Sequence, residues 1–158
     1  MRDNQPLKRI WRLVAALFVA VPMLAMAQQR IADAGAMEAE VHRTGSVVLD
    51  GIQFEAGQAM LQAGSETILA EIVKLMRDRT DWRFEIQGHT DNIGAKPANA
   101  MVSGQRAKSV LDWLTKHGID ESRLVARGYG DAAPLADNTT EDGRARNRRI
   151  VLKKLHEE

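Results

Sequence analysis

Cysteine is absent from this 158-residue chain. No disulfide can staple it, so stability has to come from a packed core. The same absence excludes lipid modification of an N-terminal cysteine, and with it a lipid anchor. Aromatic residues make up only 4% of the chain, which leaves Val, Ile, Leu, Met and Ala to fill the interior. His42, His89, His117 and His156 are scattered. With none paired at ligand spacing and no cysteine to join them, metal binding has no support. His89, close to Asp91, reads as a strand-end histidine bonded to its own loop. Neither Gly-x-Ser-x-Gly nor His-Glu-x-x-His occurs, and the acids around Asp91 have no evident carboxylate partner for glycosidase chemistry. The expectation is a protein that is not an enzyme and needs no cofactor.

Long hydrophobic runs are missing as well, save one near the start. Residues 1–27 carry Arg2, Lys8, Arg9 and Arg12, then an apolar stretch over 13–24 that contains Pro22, then Ala25-Met26-Ala27. That order is the pattern of a cleavable signal peptide. The apolar stretch is short against the roughly 20 residues a membrane helix needs. With Asp3 the segment is net +3, so the chain's +1 becomes −2 once it is removed. A general attraction to nucleic acid or anionic membranes loses its compositional basis.

What remains, in a chain 44% apolar and 27% charged, reads as one soluble globular domain of ordinary size. Residues 28–44 offer little to bury and read as a leader or tether, with an integral first helix as the alternative; the domain proper is expected over 45–158. A first strand is expected over 47–54 and ends at Phe54, which suits a core position as well as a ligand contact. Over 65–79, Ile68, Leu69, Ile72, Val73 and Met76 recur at helical spacing, with Ser65 as a candidate N-cap. The run 82–87 alternates Trp82, Phe84 and Ile86 with Arg83, Glu85 and Gln87, the mark of a strand with one buried face. A second helix is expected from Ser103 to His117, stopped by Gly118. That start would make Arg106 a first-turn residue beside free N–H groups. Two further strands are expected near 124–127 and 148–154, separated by a long polar loop. The pattern predicts an α+β fold, a mixed sheet of about four strands with two main helices packed on one face.

Function is expected where the 82–87 strand runs out into Gly88-His89-Thr90-Asp91-Asn92, small polar residues at a strand mouth. Arg144, Arg146, Arg148, Arg149, Lys153 and Lys154 form the chain's basic cluster. By itself this reads first as a solvated patch and second as a contact to an anionic polymer or lipid. No aromatic residues interleave with it as platforms for single-stranded nucleic acid.

Taken in order, Gly88-His89-Thr90-Asp91-Asn92, Asn99, the run 102–107 around Arg106, Gly128-Tyr129-Gly130, Pro134, Asn138 and the run 143–149 resemble the OmpA-like peptidoglycan-binding domain. That family includes the C-terminal domain of outer-membrane protein A, the peptidoglycan-associated lipoprotein and the flagellar stator proteins. The resemblance covers roughly residues 47–154. It departs from the family's pattern at Glu55, where Asp is frequent, and at Val102, where Leu is usual. The missing N-terminal cysteine also sets the chain apart from the lipoprotein members.

The resemblance implies non-covalent binding of peptidoglycan in the periplasm through the diaminopimelate residue of the stem peptide. Asp91 would take the ligand's ammonium and Arg106 its carboxylate. Asn99 and Thr90 would orient the stem, Phe54 would stand at the pocket rim, and Arg148 would support the pocket or meet a carboxylate. Without ligand, Asp91 and Arg106 would form a salt bridge between loop and helix. Two other readings stay open. One is a periplasmic protein-interaction module of an envelope or secretion assembly, and the other an enzyme that cleaves the wall.

Overall fold

The computed structural model describes residues 33–55 and 58–156. The segment expected as a signal peptide, residues 28–32 of the expected tether, and Ala56 and Gly57 after Phe54 lie outside the described residues.

The first element, α1 (Ala34–Thr44), begins where the Asp33 carboxylate accepts the Ala36 N–H at 2.8 Å. It ends at Gly45 in the left-handed region, φ 79°, a conformation that costs glycine little. Of the two readings of these residues, a leader or tether and an integral first helix, the structure shows the packed helix. Met37 and Val41, one turn apart, are buried with Ala34 in the central core. Their spacing gives a narrow stripe that the helix's many small and charged residues mask in the sequence. Polar contacts fix it further: the Ala34 N–H donates to Glu71 at 2.9 Å, and Glu38 pairs with Arg79.

β1 (Ser46–Leu49) is followed by α2 (Glu66–Asp78), whose Ile68, Leu69, Ile72, Val73 and Met76 are buried as the spacing predicts. Ser65 does not cap α2 with its side chain. Its buried hydroxyl accepts the Gln53 N–H at 2.8 Å and donates to the Gln53 carbonyl at 3.0 Å, tying the chain after β1 to the helix start. β2 (Phe84–His89) turns Phe84 and Ile86 into the core, while Glu85, expected to face solvent, is only 7% exposed. Its carboxylate accepts Tyr129 Oη and Gln87 Nε2, each at 2.7 Å, which covers it with neighbouring polar side chains.

α3 (Lys96–Lys116) starts a full turn and more before the expected Ser103, with Pro97 in its first turn, where a missing N–H costs nothing. β3 (Leu124–Gly130) follows, then a short helix, α4 (Glu141–Asn147), inside the stretch expected as loop. Thr140 Oγ1 accepts the Gly143 N–H at 3.0 Å, and Glu141 and Asp142 occupy the first turn. β4 (Ile150–Lys154) ends the sheet.

The sheet order is β1-β4-β2-β3. β4 runs antiparallel to both β1 and β2, and β2 runs parallel to β3. Helices α1, α2 and α3 bury their apolar residues with Val47, Leu49, Phe84, Ile86, Leu124, Ile150 and Leu152, one side of the sheet. This is the expected α+β arrangement, with α1 added to the two main helices.

The close fit of α3 on the sheet explains two glycines of the motif. A Cβ at Gly88 would lie 2.0 Å from the Ser103 carbonyl oxygen, and one at Gly128 would lie 2.4 Å from both the Ala100 carbonyl oxygen and the Gly104 nitrogen. Ser103, fully buried mid-helix, donates to the Ala100 carbonyl at 2.9 Å and accepts the Gly130 N–H at 2.9 Å. It stitches helix to strand rather than capping a terminus.

Candidate functional site

At the end of β2 the chain is held on both sides. The His89 N–H donates to the Arg149 carbonyl at 3.0 Å and the Thr90 N–H to the Gly130 carbonyl at 2.9 Å. Asp91 follows, 8% exposed. Its Oδ1 accepts the Ile93 N–H at 3.0 Å, a turn made by the aspartate itself, and its carbonyl accepts Asn99 Nδ2 at 3.3 Å. Asn99, itself buried, therefore braces the loop backbone.

The partner of Asp91 is not Arg106. Arg148 Nη1 donates to Asp91 Oδ2 at 2.7 Å, while its Nη2 donates to Glu141 Oε1 at 2.8 Å. These two carboxylates, Asp91 first, raise the Arg148 pKa above its ordinary value. The expected salt bridge between loop and α3 is thus replaced by one between loop and the residue that ends α4, two positions before β4.

Arg106 lies well inside α3, beyond the four N–H groups that a helix start leaves free, so no helix-terminus field assists it. Its Nε donates to the Gln58 carbonyl at 3.3 Å, and its guanidinium carbon stands 5.1 Å from the centre of the Phe54 ring. Among the described residues no carboxylate lies within ion-pair distance of it. Burial pulls its pKa below the ordinary value; the Arg148 charge adds to the fall and the Asp91 charge opposes it. An arginine nevertheless keeps its charge at neutral pH.

Phe54, Arg106 and Arg148 line one open cleft of about 320 Å³ together with Ile52, Gln53 and Gln62. Phe54 is half-buried and bridges to Leu61 in an isolated antiparallel pair, so it serves rim and packing at once. Asp91 lies behind Arg148. Of the expected site residues, the structure brings Phe54, Arg106 and Arg148 to the cleft, sets Asp91 one ion pair deeper, and gives Asn99 to the loop. Thr90, 7% exposed, has a hydroxyl with no hydrogen-bond partner among the described residues.

Sequence reasoning missed Glu141, Ile52, Gln53 and Gln62. Glu141 could have been found from Thr140-Glu141-Asp142, a capping residue followed by acids. The other three carry no comparable signal.

The chain matches the model of the OmpA family over residues 53–148. It is 37% identical over 96 residues to the peptidoglycan-binding protein ArfA of Mycobacterium bovis, covering 61% of this chain and 29% of that protein. The putative MotB-like protein of Desulfovibrio vulgaris superposes with a TM-score of 0.64 at 31% identity, over 72% of this chain and 74% of that one. The cell wall anchor of the T6SS from Pseudomonas aeruginosa gives a TM-score of 0.61 at 26% identity, over 82% of this chain and all of that one. The stretch shared with such curated relatives is less than half of their length.

Proposed function

The chain belongs to the OmpA family, and from that premise we propose that it binds peptidoglycan non-covalently, in the periplasm, as a module that performs no catalysis. The observation that carries this reading is Arg106, a half-buried guanidinium lining an open cleft with no carboxylate partner among the described residues. Its Nε is taken by the Gln58 carbonyl, which leaves the two Nη groups as a fork of the geometry a carboxylate fits. Beside it, Asp91 and Arg148 form an ion pair that a ligand carrying both charges can exchange with. The free end of diaminopimelate in a stem peptide carries an ammonium and a carboxylate. In this reading Arg106 takes the carboxylate and Asp91 the ammonium, with Phe54 packing against the aliphatic part. The similarity to ArfA, a peptidoglycan-binding protein, supports the same class of ligand.

Co-sedimentation with purified diaminopimelate-type sacculi tests the proposal. Arg106→Ala and Asp91→Ala are expected to lose retention while circular dichroism shows them folded. Removing one member of a hydrogen-bonded charge pair costs about 2–5 kcal/mol. Walls with Lys in place of diaminopimelate lack the carboxylate and should retain the wild type weakly. Folded variants that sediment like wild type would refute the pocket. Export rests on residues 1–27: the mass of the exported protein should begin at Gln28, and an intact Met1 in the membrane fraction would overturn the signal reading.

A further inference from the structure

Glu141 belongs to no motif used above, yet it holds the far side of the Asp91–Arg148 pair. Its Oε1 accepts Arg148 Nη2 at 2.8 Å, and its Oε2 accepts Arg144 Nε at 3.0 Å and Nη2 at 2.7 Å. Arg144 is itself anchored by Nη1 on the Asn138 carbonyl at 2.9 Å. The carboxylate therefore has a fixed position although its side chain is 65% exposed. These contacts, Arg148 first and Arg144 second, hold its pKa below the usual carboxylate range. Asn147 fixes the neighbouring backbone, accepting the Leu135 and Ala136 N–H groups at 2.7 and 2.9 Å.

The pair poses a problem for the proposed ligand. Both oxygens of Asp91 are engaged, one by Arg148 and one by the Ile93 N–H. An ammonium that takes the place of Arg148 Nη1 on Asp91 Oδ2 removes one of the guanidinium's two counter-charges, and in a partly buried site that loss opposes the exchange.

We propose that Glu141 is a positioning residue for wall binding: it retains Arg148 through Nη2 while the ligand's ammonium takes the place of Nη1 on Asp91. The inference rests on the reading of the cleft as a diaminopimelate site. It makes the preference for an amine-bearing ligand depend on a residue that never touches the ligand. Arg148 then stays at the cleft wall, one hydrogen bond poorer, and its freed Nη1 faces the cleft that the ligand occupies.

The test uses the full chain, titrated by two-dimensional NMR with free meso-diaminopimelate and with pimelate, the same dicarboxylate without its amines. Wild type is expected to prefer diaminopimelate. Glu141→Gln should cut that preference about two- to fivefold, the scale of an exposed charge contact, with an unchanged thermal midpoint. In an Arg148→Ala background the same substitution should have no further effect, because there is nothing left for Glu141 to hold. An effect that persists in that background, fading with salt, would show Glu141 acting only through its field and overturn the proposal. An unchanged preference in Glu141→Gln would overturn it as well. A wild type with no preference for diaminopimelate refutes the cleft reading itself, and this inference with it.

Discussion

At the scale of single residues the site is defined by which charges have partners. Arg106 has none of opposite sign among the described residues, whereas Arg148 has two. Arg106→Lys should therefore fold normally and still lose wall retention by tenfold or more, roughly the 1.4 kcal/mol that equals one decade. An ammonium cannot present two parallel donors to a carboxylate. Co-sedimentation beside Arg106→Ala checks it. His89 supplies a second prediction. It is 4% exposed, stacked on Tyr129 at 5.4 Å, and neither ring nitrogen has a partner among the described residues. Burial, with the Arg149 charge, lowers its pKa from 6.5 to about 4. A depressed histidine favours the folded state fully above pH 6.5 and loses that contribution as pH falls toward 4. The difference is about 3 kcal/mol at 1.36 kcal/mol per pKa unit. The urea midpoint should fall in wild type from pH 7 to pH 5, where about 2 kcal/mol of that difference is already lost, and His89→Phe should flatten the fall.

At the scale of elements, α3 against β2 and β3 is the contact that sets the site, since it fixes Arg106 relative to the loop after β2. Gly128→Ala forces its new methyl against backbone of α3, which flexible side chains cannot relieve. Overpacking of this kind typically costs about 1–3 kcal/mol. A drop in denaturation midpoint checks it, and an unchanged midpoint would show that α3 can slide. Periodicity made α2 and β2 legible because each presents a repeating apolar face. The start of α3 was not legible: Ser103 has the chemistry of a cap, and nothing local reveals that its hydroxyl serves β3 instead. Likewise the pairing of Asp91 depends on residue 148, far along the chain, so motif order named three residues that line one cleft but gave Asp91 the wrong partner. α1 was hidden because two buried residues, Met37 and Val41, carry most of its packing.

For the molecule as a whole, α1 is part of the core rather than a strap outside it. Met37 has no exposed surface, and Met37→Ala should cost about 2–5 kcal/mol, a large share of a domain's total stability. Chemical denaturation decides between this and a tether, for which the midpoint would not move. Starting the chain at Ser46 should destabilise it further, since it also removes Val41 and the Glu38–Arg79 pair.

The strand order has a consequence for how the chain comes into being. β4, the last strand in sequence, lies between β1 and β2, and its residues pair with both. While the chain is still emerging from the ribosome, β1 and β2 have no middle strand to join them. The sheet can close only after residue 154 is free. Until then the core that α1 and α2 share with the sheet lacks Ile150 and Leu152. Contacts between such distant parts of a chain form slowly because loop closure must come first. The arrival of β4 also brings Arg148 to Asp91, so that completion of the sheet and construction of the cleft coincide.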